Sequence, residues 1–165
     1  MLGPMTEYHL AQVNVGRLIA PLDSPVVAGF VERLPEINAI ADGSPGFVWR
    51  LVDESGADAT SLRPDGADDQ LMINLSVWES TDALRDFLYR SPHLDVLSQR
   101  RSWFEHLGEP HQALWWVPAG HRPTVDEAME RLAQLRKNGS SPLAFTLREP
   151  YPASAAIPDG SGDQN

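Results

Sequence analysis

The segment 71–78 constrains the fold more than any other part of the chain, because it is predicted to be a β-strand with two apolar faces. Side chains alternate between the two faces of a strand, so one face carries only aliphatic residues. The other face carries Met72 and Trp78 around the polar residues Asn74 and Ser76. A strand of this kind belongs in the middle of a sheet that is covered on both sides.

Three further strands are predicted, at residues 8–15, 47–52 and 113–118. With the intervening helices they give the order β-α-β-β-α-β. This order predicts an α+β fold of the ferredoxin-like, split βαβ kind, with a four-stranded antiparallel sheet and both helices on one face. Such a sheet leaves its second face bare, and a homodimer would cover it.

Capping residues predict where the helices begin. Ser24-Pro25 opens the first helix, and a kink or break is expected at Pro35 because proline lacks an N–H and clashes with the preceding turn. The second helix begins at Ser80 or Thr81 and restarts at Ser91-Pro92. A capping box at residues 124–127 opens another helix, which ends at residues 138–139. Residues 143–147 are predicted to add an edge strand.

Composition limits the organisation and the partners. The chain has 165 residues, and we expect one domain at 8–150, a flexible N-terminus at 1–7 and a disordered tail at 151–165. The net charge of −10 disfavours nucleic acid, and no apolar stretch approaches the ~18 residues that cross a membrane. The absence of cysteine excludes disulfides and thiolate metal sites. With no secretory signal, a cytoplasmic location is expected.

Several segments resemble an uncharacterised bacterial family of the dimeric α+β barrel superfamily, which is related to the antibiotic-biosynthesis monooxygenases. The resemblance lies in residues 37–41 with 45–51, in Trp78-Glu79-Ser80 and in residues 115–120. It implies that two sheets close into a barrel in a homodimer. It also implies a cofactor-independent oxygenase acting on a hydrophobic, aromatic or polyketide-like small molecule, with no metal or flavin.

The haem-degrading members of that superfamily use an Asn, a Trp and a His ligand. Asn14 lies where their first-strand Asn would be. Phe87 takes the place of the Trp, and Ser98 takes about the place of the His. Two of the three positions therefore differ, and the resemblance does not imply haem degradation. No cofactor is expected.

His93 and Arg101 are the predicted catalytic residues. His93 follows Ser91-Pro92, and an imidazole suits proton transfer near neutral pH. The alternative for His93 is a capping or surface contact. Arg101 lies beside Arg100 and would hold a substrate oxygen, as preorganised donors do. The alternative is that these arginines pair with nearby acids, here Asp95 or Glu105.

Five further side chains are predicted to bind the substrate. Asn14 and Asn74 lie within strands, and if both face the cleft they form a polar floor in an apolar pocket. The alternative is a structural amide pair between strands. Trp78, Trp103 and Trp115 would shape the cavity, with core packing as the alternative. No metal site is expected, because the other histidines match no metal-binding spacing.

Two functions remain open at this point. The first is an enzyme in which His93 accepts a proton and Asn14, Asn74 and Arg101 stabilise an oxyanion. The second is a non-catalytic ligand-binding or stress-response dimer that shares the pocket. The two differ in whether His93 lines the cleft beside Asn14.

Overall fold

A computed structural model describes residues 7–53, 58–60, 62, 64, 66–67, 70–91 and 99–156. The strands are β1 (Tyr8–Arg17), β2 (Phe47–Arg50), β3 (Leu71–Trp78) and β4 (Gln112–Pro118). The helices are α1 (Ala28–Asp42), α2 (Thr81–Arg90), α3 (Arg100–Trp103), α4 (Val125–Asn138) and α5 (Ala153–Ala156). A 3-10 turn, Pro25–Val27, leads into α1.

The four strands form one antiparallel sheet in the order β2-β3-β1-β4. The predicted α+β class and four-stranded antiparallel sheet are therefore confirmed. The register places Asn14 of β1 opposite Asn74 of β3 on one side and opposite Gln112 of β4 on the other. Because facing residues of neighbouring strands project to the same side, these three polar residues share one face of the sheet.

The first face of the sheet, which carries Leu10, Trp78 and Leu114, lies under α1, α2 and α3. Leu84, Phe87 and Leu88 of α2 pack against these residues, whereas α1 contributes only Ala41 as a buried residue. Trp103 of α3 packs against Met72 at the far end of the same face. The predicted pairing of the first two helices on one face is thus observed.

The second face is not bare. Helix α4 buries Ala128, Leu132 and Leu135 against the aliphatic side of the sheet and against Trp115. The sequence-based reason for expecting a second copy is therefore wrong, because the chain covers this face with its own helix. The homodimer stays a prediction.

Side-chain caps fix the starts of two helices. The Ser80 hydroxyl accepts from the Ala83 amide at 3.1 Å, and the Thr124 hydroxyl accepts from the Glu127 amide at 3.1 Å. Helix α4 ends before Gly139, whose φ of 73° suits glycine. Of the kink or break expected at Pro35, the break is wrong, since α1 continues through this residue. Pro35 is exposed, so the carbonyl that loses its amide donor can bond water there.

The C-terminal part differs from the prediction at the expected edge strand. Residues 143–147 form no strand, because only Phe145 bridges to Leu114, with both amides donating at 2.9 Å. At the start of the expected tail, Tyr151 packs near Phe145, and its carbonyl accepts from Trp116 Nε1 at 2.8 Å. The rest of that tail, 157–165, lies outside the described residues, as do residues 1–6. None of the described helices is long and apolar enough to span a membrane.

Candidate functional site

A cavity of about 170 Å³ lies between the first face of the sheet and helices α1, α2 and α3. Its walls are mainly apolar and its floor is polar. For comparison, an apolar cavity of about 150 Å³ is enough to hold benzene. The space between sheet and helices is therefore large enough for a molecule of about one ring.

Helix α1 lines this cavity with one continuous face. The residues that line it recur at helical spacing and are Phe30, Arg33, Leu34, Ile37, Asn38 and Ala41. Only Ala41 among the residues of α1 is buried. The apolar face of α1 therefore lies over the cavity, and Phe30, Ile37 and Ile40 pack partly buried against the clusters on the sheet.

Gln12 is the centre of a hydrogen-bonded floor on β1 and β3. Its Nε2 donates to Asn74 Oδ1 at 2.6 Å and to Ser76 Oγ at 2.9 Å. Ser76 Oγ also accepts from Trp78 Nε1 at 2.9 Å, and Gln12 Oε1 accepts from Gln112 Nε2 at 3.3 Å. Gln12 is 4% exposed. These bonds hold the amides of the floor in fixed orientations.

Asn14 and Asn74 both line the cavity, as the sequence predicted. The two amides do not bond each other, but Asn74 forms a structural amide contact between strands with Gln12. Asn14 is half-buried, and its side chain makes no hydrogen bond with the described residues. Its amide is thus available to a bound molecule.

Arg100 closes one end of the cavity. Its Nη2 donates to the Val15 carbonyl at 3.2 Å, and its guanidinium lies 4.8 Å from the centre of the Phe104 ring. Gly16 is needed beside it, since a Cβ there would lie 2.5 Å from Phe104 Cδ1. Burial lowers the pKa of Arg100 from its ordinary value, because desolvation disfavours the charged form.

The position of Arg101 contradicts the prediction that it holds a substrate oxygen. It is exposed and does not line the cavity, whereas its neighbour Arg100 does. Successive residues of a helix point about 100° apart, so only one of two adjacent arginines on α3 can face the cavity. The expected pairing of this segment with Glu105 is also absent, since Glu105 pairs with Arg17 at 3.4 Å. Asp95 lies outside the described residues.

Two of the three predicted tryptophans line the cavity. Trp78 stacks on Phe87 with ring centres 5.1 Å apart, and Trp103 lies 5.9 Å from Phe30. Trp115 does not: it is fully buried in the core under α4 on the second face, and its Nε1 donates to Glu127 Oε2 at 3.0 Å. The prediction that Trp115 lines the cavity is wrong, because side chains on β4 alternate and Trp116 takes the first face.

The charged groups in the described part of the lining are Arg33, Arg50, Arg100 and Asp58. Arg50 is neutralised by Asp42, with contacts of 2.7 and 3.2 Å. Asp58 Oδ1 accepts from the Thr60 amide and hydroxyl at 2.9 and 2.7 Å.

His93, the predicted proton acceptor, lies outside the described residues. Within the described ranges, no three His, Asp or Glu side chains are placed to hold a metal ion.

The family model of a domain of unknown function, DUF3291, matches residues 9–159. The chain belongs to this family. No curated protein matches it. The predicted resemblance to a bacterial family without an assigned function is confirmed.

Solved structures with a similar arrangement have low sequence identity to this chain. One is SnoaB, a cofactor-independent oxygenase from Streptomyces nogalater, at 20% identity and a TM-score of 0.43, covering 71% of this chain and 96% of that one. Another is a protein of unknown function from Nitrosomonas europaea, at 8% identity and 0.45, covering 73% and 97%. A third, from Chloroflexus aurantiacus and assigned to the antibiotic biosynthesis monooxygenases, has 16% identity and 0.40, covering 71% and 98%.

Sequence reasoning missed several residues of the site, namely Gln12, Ser76, Gln112, Arg33 and Arg100. A signal for the first two was present, because Gln12 is in phase with Asn14 and Ser76 with Asn74. The 3.6-residue spacing of the α1 lining could have identified Arg33. Nothing in the sequence distinguished Arg100 from Arg101.

Proposed function

We propose that the protein binds a small, largely apolar molecule carrying oxygen substituents in the cavity under α1 and α2, and oxygenates it without metal or flavin. The observation that carries the proposal is the hydrogen-bonded amide floor inside a cavity whose walls are mainly apolar. Small-molecule sites have this composition, in which apolar walls supply affinity and a few oriented polar groups fix the ligand.

The proposed reaction is the oxygenation of an enolisable carbon. A C–H group loses its proton to a base, for which His93 is the candidate. The resulting carbanion reduces O2, and recombination forms a C–O bond as a peroxide. Return of the proton and loss of water leave a carbonyl, so that SH2 + O2 becomes SO + H2O. The amide of Asn14 would stabilise the enolate oxygen as a preorganised donor.

A non-catalytic ligand-binding protein is the second candidate. It is favoured by the described part of the lining, which holds no histidine and whose one carboxylate, Asp58, already accepts from Thr60. The two candidate functions differ in whether His93 is required for a reaction. Under the first, His93→Ala abolishes oxygen uptake and leaves binding intact.

Blocking the cavity should abolish ligand binding without unfolding the protein. Asn74 lines the cavity but is exposed, so Asn74→Trp can fill the space with little strain on the core. We expect wild type purified from cells to carry a small molecule, detected as a mass difference between native and denaturing mass spectra. Asn74→Trp should lack this molecule.

Tyr89→Trp is the matched control, since Tyr89 is 53% exposed on α2 and lies outside the cavity. It should carry the molecule as wild type does. A molecule retained equally by wild type, Asn74→Trp and Tyr89→Trp would show that the ligand binds elsewhere and would contradict the proposal.

A further inference from the structure

The described residues that line the cavity carry a net charge opposite in sign to that of the whole protein. The chain carries a net charge of −10, yet its cavity is lined by three arginines and one aspartate in the described ranges. Arg50 is paired with Asp42. Arg33 and Arg100 have no carboxylate partner among the described residues. Within the described part of the chain, both guanidiniums therefore keep donors for an acceptor other than a described carboxylate.

Of these two arginines, Arg100 gives the stronger evidence that the cavity binds an anion. It is half-buried and uses one donor on the Val15 carbonyl, which leaves most of its five N–H donors for another acceptor. Placing a charge in a partly desolvated position is unfavourable unless the charge is paired. An anion in the cavity would provide that pairing, and a guanidinium fits a carboxylate with two parallel hydrogen bonds.

Trp103 provides a second, independent observation at the same end of the cavity. The indole N–H groups of three other tryptophans donate to acceptors, namely Trp78 to Ser76, Trp115 to Glu127 and Trp116 to Tyr151. Trp103 is only 6% exposed and lines the cavity, but its N–H has no acceptor among the described residues. The Nε1 atom is not one of the fully enclosed polar atoms of the described residues, so an acceptor from outside the protein can reach it.

The walls beside Arg100 are aromatic. Phe30 lies 5.0 Å from Phe104 in an edge-to-face arrangement and 5.9 Å from Trp103, and Arg100 lies over the Phe104 ring. Aromatic walls favour an aromatic ligand, because ring pairs gain stability beyond the area that they bury. At about 170 Å³ the cavity has room for one ring with a small substituent.

Resting on the function proposed above, we propose that the ligand is a single-ring aromatic carboxylate whose carboxylate binds Arg100 and the Trp103 indole N–H. The ring lies among Phe30, Phe104 and Met72, and the amide floor contacts its oxygen substituents. This names the chemical class of the ligand and the end of the cavity that recognises its charge.

Benzoate and benzamide test this proposal, because they have the same shape and differ in charge. Isothermal titration of the ligand-stripped protein should give a dissociation constant for benzoate at least tenfold lower than for benzamide. Arg100→Gln should bring the two constants within about twofold of each other. Arg101→Gln removes the neighbouring, exposed arginine and should keep the tenfold preference.

Arg100→Lys covers the case in which Arg100→Gln does not fold. It keeps the charge but loses the planar fork, so the preference should fall below the wild-type ratio without vanishing. Equal binding of benzoate and benzamide by wild type would overturn the carboxylate proposal and leave small-molecule binding standing. Failure of both probes to bind, while a neutral molecule copurifies, would also overturn the carboxylate proposal and leave small-molecule binding standing. Failure of both probes with no copurifying molecule would overturn both proposals. A benzoate preference that survives Arg100→Gln would contradict the assignment to Arg100.

Discussion

Trp115→Ala should lower the free energy of unfolding by about 3–5 kcal/mol, the usual cost of removing a large buried aromatic side chain. Trp115 is 0% exposed within the cluster that joins the sheet to α4. Its removal leaves a void and also takes a donor from Glu127. For a domain of this size the melting temperature should fall by about 6–20 °C, as measured by circular dichroism.

Two further variants test whether Trp115 belongs to the core or to the cavity. Trp49 is half-buried at the margin of the same cluster, and Trp49→Ala should cost less than half as much. Trp115→Phe keeps most of the apolar volume, so it should fold and bind the cavity ligand as wild type does. If Trp115→Ala melted within about 2 °C of wild type and Trp115→Phe lost the ligand, Trp115 would be a cavity residue and its placement here would be wrong.

Gln12→Ala should lower the free energy of unfolding by about 2–4 kcal/mol, because it removes a buried side chain and three hydrogen bonds together. Gln112 Nε2 loses its acceptor, and Ser76 keeps only the Trp78 indole as a partner. Asn74 is exposed, so water replaces its lost donor at little cost. Urea denaturation measures the change.

Asn14→Ala is the matched variant two residues along the same strand and on the same face. Asn14 makes no side-chain hydrogen bond with the described residues, so the substitution should cost no more than about 0.5–1 kcal/mol. It should weaken binding of the copurifying molecule instead. Equal destabilisation by Gln12→Ala and Asn14→Ala would show that the floor is not organised around Gln12.

The sequence was most informative where a local pattern decides the structure. The strand predicted at residues 71–78 is observed as Leu71–Trp78, because turn residues bound an apolar run. Thr124 caps α4 as the spacing to Glu127 predicted. The alternation of side chains along the strand placed Asn74 on one face with Ser76 and Trp78, and the structure shows that this face lines the cavity.

The errors arose where tertiary packing makes the choice. Both faces of the sheet are apolar, so the pattern does not show which face α4 covers or which of Trp115 and Trp116 lies on the cavity side. The sequence also does not show which of Arg100 and Arg101 faces the cavity, because the two are adjacent on one short helix and chemically identical. The role of His93 stays a prediction.

The five tryptophan indole N–H groups allow a direct test of the central claim, that the functional site is the cavity on the first face of the sheet. The measurement is a ¹H–¹⁵N correlation spectrum of the ligand-stripped protein with and without saturating benzoate, with signals assigned from Trp→Phe variants. The indole signals of Trp78 and Trp103 should shift, and that of Trp115 should stay in place. A shift of Trp115 with unchanged Trp78 and Trp103 signals would contradict the account.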